Sequence, residues 1–311
     1  MFKNIAFTNL AKTFYFFIFL GFLVFGTGVP VIAQETYELT YRFKKGDQFR
    51  WKVVQQLCVK TSMEEKTDLI DTISISTKLW TVTGVDADGT ATIEHQVEEV
   101  DMHRKQLIEE FDRTEAINTN TQRKQDRFES SYNSKTDQEV PDGYEQVSQS
   151  LNIPLLKLKI SPNGELLGRV PLVPYTLETL DSKILIPLPK GKIKVGDTWK
   201  VPEEAALPQP NGTVKKVRLQ KIYTLNSVRN GLAVISYKTE RLSLVEEPKS
   251  EIQLFDKLAS GRVELDLETG HILKQQTDVK GSVLGFAGAS SSIDHTARLV
   301  EEFVPKVRMM R

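Results

Sequence analysis

The chain has one cysteine, Cys58, in 311 residues, so no disulfide can form within it. A thiol with no partner is safest as a small buried apolar residue, and Cys58 is expected to be one, on a strand through Trp51–Val59. Histidine is scarce as well. His95 and His103 stand eight residues apart in what reads as extended chain, roughly 26 Å at about 3.3 Å per residue, and His271 and His295 lie far from them. With no HExxH, no His-x-His and no cysteine cluster, no metal and no cofactor is expected, and each histidine reads as a strand or edge residue. Net charge is also lacking: 41 basic residues balance 41 acidic ones. This removes the electrostatic case for nucleic acid as a partner. No Gly-x-Ser-x-Gly elbow or glycine-rich phosphate loop appears, and Ser290–Ser292 has no base nearby, so no catalytic residue is assigned.

The N-terminus is the one long apolar stretch. Lys3 and Lys12 precede a run from Phe14 to Phe25, then Gly26, Gly28 and Pro30 break any helix, and Val31-Ile32-Ala33 leads to Gln34. Positive, apolar, then compact residues is the order of an export signal, with cleavage expected between Ala33 and Gln34. The run is shorter than the roughly 20 residues a spanning helix needs, so no stable membrane span is expected after cleavage. Losing residues 1–33 leaves 39 basic and 41 acidic residues, a net charge of −2. The expected location is extracytoplasmic, periplasmic or secreted.

What is abundant is β-strand pattern, and it occurs twice. Lys45-Gly46-Asp47-Gln48-Phe49 is echoed by Lys194-Val195-Gly196-Asp197-Thr198-Trp199. The strand–turn–strand Leu79–Val85, Asp86–Gly89, Ala91–Ile93 is echoed by Ile222–Val228, Arg229–Gly231, Ala233–Ile235. A third pair is Leu156–Leu167 around Asn163-Gly164 and Val263–Leu273 around Thr269-Gly270. The fold class expected is therefore mainly β: two related antiparallel units from an internal duplication, a few short helices, and one continuous curved sheet. Residues 34–170 form the first unit, 171–190 a stiff Pro-rich connection, and 191–311 the second unit. Ile73, Ile75 and Thr77 alternate with serines, as Ile93, His95 and Val97 alternate with polar residues, and period two puts one set on the core face.

The offset between copies falls from 150 to 142–143 and then 106, so the first copy has about 36 extra residues between Val100 and Leu156. The segment about 101–139 is dense in charge and reads as a solvated arm, with Leu107, Ile108 and Phe111 placed as one face of a short helix and Asn118–Gln122 as a loop. Tyr144–Leu151 and Ser250–Ala259 read as short helices at equivalent places. Asp86-Ala87-Asp88-Gly89 is half a calcium loop at most and fits a hairpin turn, while Asp47 and Asp197 fit turn caps. Asn211-Gly212-Thr213 fits a glycosylation acceptor and a turn equally.

Tyr37–Trp51, with its Tyr-x-Leu-x-Tyr-x-Phe-x-x-Gly opening, resembles, together with Val195–Trp199, the central hairpins and Asp266–Leu273, an uncharacterised family of secreted bacterial β-rich proteins. That family has no assigned activity, so the resemblance implies fold and export and transfers no site residue. The Val-Gly-Asp-Thr-Trp turn and the closing Thr-Gly hairpin are also similar, more loosely, to lipoprotein carriers in which a curved sheet wraps around helices.

Three functional expectations follow. The first is a non-enzymatic protein that binds an apolar or amphipathic ligand, such as a lipid, on its curved sheet. This one requires a largely apolar pocket of a few hundred Å³. The second is a structural or protein-interaction module of the cell envelope, working through sheet edges or the charged arm with an envelope protein as partner. The third, ranked below both, is a hydrolase with a carboxylate pair in one cleft.

Overall fold

The computed structural model describes residues 35–111, 123–174, 185–209 and 211–305. Alternating apolar and β-branched residues make most of them strand. In chain order these are β1 (Thr36–Glu38), β2 (Gln48–Met63), β3 (Lys66–Val85), β4 (Ala91–Phe111), β5 (Arg123–Asn133), β6 (Leu156–Ile160) and β7 (Leu166–Pro171). The second set is β8 (Lys192–Lys194), β9 (Thr198–Pro208), β10 (Val214–Arg229), β11 (Leu232–Arg241), β12 (Ser260–Asp266), β13 (His271–Leu284) and β14 (Ser291–Val304). Two short helices, α1 (Glu145–Gln149) and α2 (Pro248–Ile252), precede β6 and β12, and a 3-10 turn, Phe255–Lys257, follows α2.

Among the described residues, twelve strands form one sheet in the order β7-β6-β4-β3-β2-β14-β13-β12-β11-β10-β9, with β5 also paired to β4; β1 and β8 form a separate two-stranded ribbon. The run β7-β6-β4-β3-β2 is repeated as β13-β12-β11-β10-β9, and β14 joins them. The duplication extends to single hydrogen bonds. Gly46 and Gly196, both at positive φ, donate to Val82 and Leu225 at 2.9 and 2.8 Å. Asp47 and Asp197 each accept from the backbone N–H three residues earlier, Lys44 or Lys194, at 2.8 Å. The β-bulge after Val82 on β3 recurs after Leu225 on β10, and the one at Ile160 on β6 recurs at Leu265 on β12. Bulges bend a strand and strengthen its twist, so matching bulges curve both copies alike.

The sheet curls on itself. Eleven strands side by side span roughly 48 Å at about 4.8 Å each. Yet Leu158 and Ile160 of β6 share one buried cluster with Tyr223 and Leu225 of β10, together with Trp51, Trp80 and Ile93. The seam is closed by the end of the Pro-rich connection. Leu188 N–H donates to Asn163 O and Trp199 Nε1 to Pro187 O, both at 2.8 Å, and Tyr41 OH donates to Ile186 O at 3.0 Å. A connection that supplies buried Ile186 and Leu188 is part of the core as well as a spacer.

Two expectations are corrected here. Leu107 and Ile108 do not form a helical face: they belong to β4, which pairs with β5 over the whole stretch from Asp101 to Phe111 as an antiparallel arm. Alternating register puts these two residues on opposite sides of the arm. Ile73 and Ile75 do not face the core either. The pairing of β2 with β3 runs without a bulge from Gln48–Thr81 to Met63–Lys66. Buried Trp80 and Val82 therefore fix the parity of the whole strand, turning the serines inward and leaving Ile73 44% exposed. Asn118–Gln122 and the junction of Ala33 and Gln34 lie outside the described residues. No described helix is long and apolar enough to cross a membrane.

Candidate functional site

The inward turn of β3 creates the site. Thr72, Ser74, Ser76 and Lys78 form a polar stripe along its inner face, and they line a half-open cavity of about 280 Å³. The other walls are mostly apolar: Val53 and Leu57 from β2, with the polar Gln55 between them, and Val97, Val100 and Met102 from β4. The roof is Val147 and Ser150 of the α1 segment, and Leu155. A five-residue helix does not hold itself together in water. It is strapped to β4 instead: Asn152 N–H donates to Val97 O and Leu155 N–H to His95 O, each at 2.8 Å. Tyr144 before the helix packs on Tyr132 at 5.6 Å and shares a 3.1 Å hydrogen bond with Ser130. Among the described residues no carboxylate lines this cavity.

The second copy provides an internal comparison. At the 143-residue offset, Ser74, Ser76, Lys78, Trp80 and Val82 match Val217, Leu219, Lys221, Tyr223 and Leu225. Where the first copy has serines under a cavity, the second has Val217 and Leu219 packed shut against Leu254, Ala205 and Leu207. The fold therefore does not require a hollow at this place. A hydroxyl stripe in an otherwise apolar inner face departs from the binary pattern, and such departures concentrate where a protein works rather than where it merely packs.

Both copies bury the matching lysine beside an acid. Lys78 Nζ lies 3.3 Å from Glu301 Oε1, with both side chains about nine-tenths buried. Lys221 Nζ lies 3.7 Å from Glu203 and 5.1 Å from the centre of the Tyr237 ring. Burial raises the Tyr237 phenol to about 12, and nearby Glu301, Asp278 and Glu203 add to the effect against its 2.6 Å bond with Thr277. His95, opposite Trp80 on β4, is 1% exposed, and neither ring nitrogen has a hydrogen-bond partner among the described residues. Burial, then the charge of Lys78, lowers its pKa to about 3, so the ring is neutral.

The residues singled out by sequence do not converge. His103 points outward on β4 and meets Asp101 at 3.0 Å; His271 bonds to Arg42 O and stacks edge-on against Phe49; His295 lies 3.3 Å from Asp256. No group of described residues is arranged to hold a metal. Cys58 is half-buried rather than in the core, because it falls on the outer face of β2, paired with Asp71 of β3; burial first, then Asp71, raises its thiol pKa. Asp86–Gly89 is the β3–β4 turn, and Asn211 Oδ1 accepts from Thr213 N–H in the β9–β10 turn. Lys78, Ser74, Ser76 and Glu301 were missed. Extending the 143-residue offset along β3 was the signal that would have found the first three, since it sets two serines against Val217 and Leu219.

No family model and no curated protein matches the chain. Among solved structures, Pseudomonas aeruginosa OccK7 (OpdD) aligns over 84% of this chain and 99% of its own at 9% identity, with a TM-score of 0.20, a likeness too slight to carry an argument.

Proposed function

We propose that this is a non-enzymatic, extracytoplasmic protein that binds a small amphipathic ligand in the cavity between β2, β3, β4 and the α1 segment. One observation carries this reading: at the same place in two copies of one fold, the second is packed shut with Val217 and Leu219 while the first presents Ser74 and Ser76 to an open volume of about 280 Å³. Cavities in a packed interior cost stability, roughly 24 cal/mol per Å³ in mutational series. A hollow lined on one side by Thr72, Ser74, Ser76 and Lys78, and on the others mostly by Val, Leu and Met with Gln55 and Ser150 among them, suits a molecule with one polar and one apolar side. The export-type N-terminus supports placement outside the cytoplasm.

The test is isothermal titration with short-chain amphiphiles of the protein and of a variant carrying the second copy's residues, Ser74→Val with Ser76→Leu. Saturable binding by the parent and loss of it in the variant, with far-UV circular dichroism unchanged, is the expected result. Equal binding by both would place the ligand elsewhere and remove the cavity from the account.

A further inference from the structure

Granted the cavity proposed above as a ligand site, its charge balance specifies the head group. Among the described residues lining it, Lys78 is the one that carries a charge, and its polar partner among the described residues is Glu301 at 3.3 Å. That contact is longer than the roughly 2.7–2.9 Å usual for a charge-assisted hydrogen bond, and an ammonium has three donors, so Lys78 has N–H capacity to spare. As a charge, however, it is already matched. The buried pair is neutral as a unit, and His95 beside it is held uncharged by burial and by Lys78 itself. A carboxylate placed against Lys78 would leave two anions sharing one ammonium at a pair whose side chains are about nine-tenths buried, where an unmatched charge is costly. An uncharged oxygen accepts from Lys78 and exchanges hydrogen bonds with Ser76 and Ser74 while leaving that balance intact.

We propose that the cavity takes a short single-chain amphiphile with an uncharged, oxygen-bearing head, an alcohol or acyl ester rather than a free fatty acid. The head lies at Lys78 and Ser76, and the chain runs against Val97, Val100 and Met102. At about 30 Å³ per small group, 280 Å³ holds roughly nine heavy atoms, which matches octan-1-ol.

The experiment is titration of the purified protein at neutral pH with octan-1-ol and with octanoate, repeated on Lys78→Met and on Ser74→Val with Ser76→Val. Octan-1-ol is expected to bind about tenfold or more tightly than octanoate, and to lose about tenfold on Lys78→Met. If Lys78→Met does not fold, the paired valine variant carries the test, because both serines stand on the open side of β3 and their replacement should weaken octan-1-ol binding in a folded protein. Octanoate binding as tightly as octan-1-ol, or more tightly, overturns the head-group assignment and leaves the cavity as a ligand site. Octan-1-ol affinity that ignores both variants overturns the assigned contacts. Failure of both probes to bind overturns the cavity reading and this inference with it.

Discussion

Replacing His95 with leucine should make the protein less sensitive to acid. His95 is enclosed on the inner face of β4 between Trp80 and Leu156, with no hydrogen-bond partner for either ring nitrogen among the described residues. Its pKa falls from 6.5 to about 3 on folding, through burial first and the charge of Lys78 second. The unfolded chain therefore binds one more proton than the folded one between those values. Stability is complete above pH 6.5, declines as pH falls through the window, and the histidine's share is gone by about pH 3. At about 1.4 kcal/mol per pH unit, that share is about 5 kcal/mol, a large part of an ordinary domain's total of about 5–15 kcal/mol. Leucine has similar bulk and removes two buried polar atoms, so at pH 7 the variant should match the parent or exceed it by about 1 kcal/mol. Urea unfolding at pH 7, 6, 5 and 4, followed by the fluorescence of the three tryptophans, gives the stability at each pH. The slope should be shallower in His95→Leu by up to about 1.4 kcal/mol per pH unit. Parallel declines for the two proteins would refute the assignment of a neutral, proton-excluding His95.

Other substitutions test the packing. Glu301→Ala strips the buried Lys78 of its partner and should cost about 3–5 kcal/mol by urea unfolding. A Cβ on Gly281 would fall 2.3 Å from the Phe255 ring, which lies over it, so Gly281→Ala should unseat the 3-10 turn and lower the melting temperature, at a cost of about 1–3 kcal/mol. Gly261→Ala should do at least as much harm, because its Cβ would meet backbone, Gln276 O, at 2.2 Å as well as the Tyr237 ring. Asp47→Ala and Asp197→Ala remove the same 2.8 Å turn hydrogen bond from the two copies; each should cost about 1 kcal/mol, and the double variant their sum.

The sequence and the structure agree where a local signal was repeated. The Gly-Asp turns, the central hairpins and the closing hairpins each have their own turn chemistry, and their common order gave the mainly β class, the short helices and a continuous sheet. What the local pattern could not supply was parity. From Ile73 to Ser76 isoleucine and serine alternate residue by residue, and the strand's inner face is decided by Trp80 and Val82 some residues away and by the strand's bulge-free pairing with β2. The same difficulty hid the arm: Leu107 and Ile108 are compatible with a helix until β5 pairs alongside them. Cys58 followed the wrong parity in the same way, since its neighbour Leu57 is the residue that points inward to the cavity. The cavity itself was legible only by comparing one copy with the other, because no single segment carries it.

The proposed function requires the first copy to hold a small amphipathic molecule where the second is packed shut. The most direct test is native mass spectrometry of the protein purified gently from its own host, with lipid extraction alongside, set against the variant Ser74→Val with Ser76→Leu. The parent should carry a stoichiometric small amphiphile, recovered in the extract, and the variant should show a bare mass. A bare parent that also fails to take up added octan-1-ol, or an adduct retained equally by the variant, would contradict it.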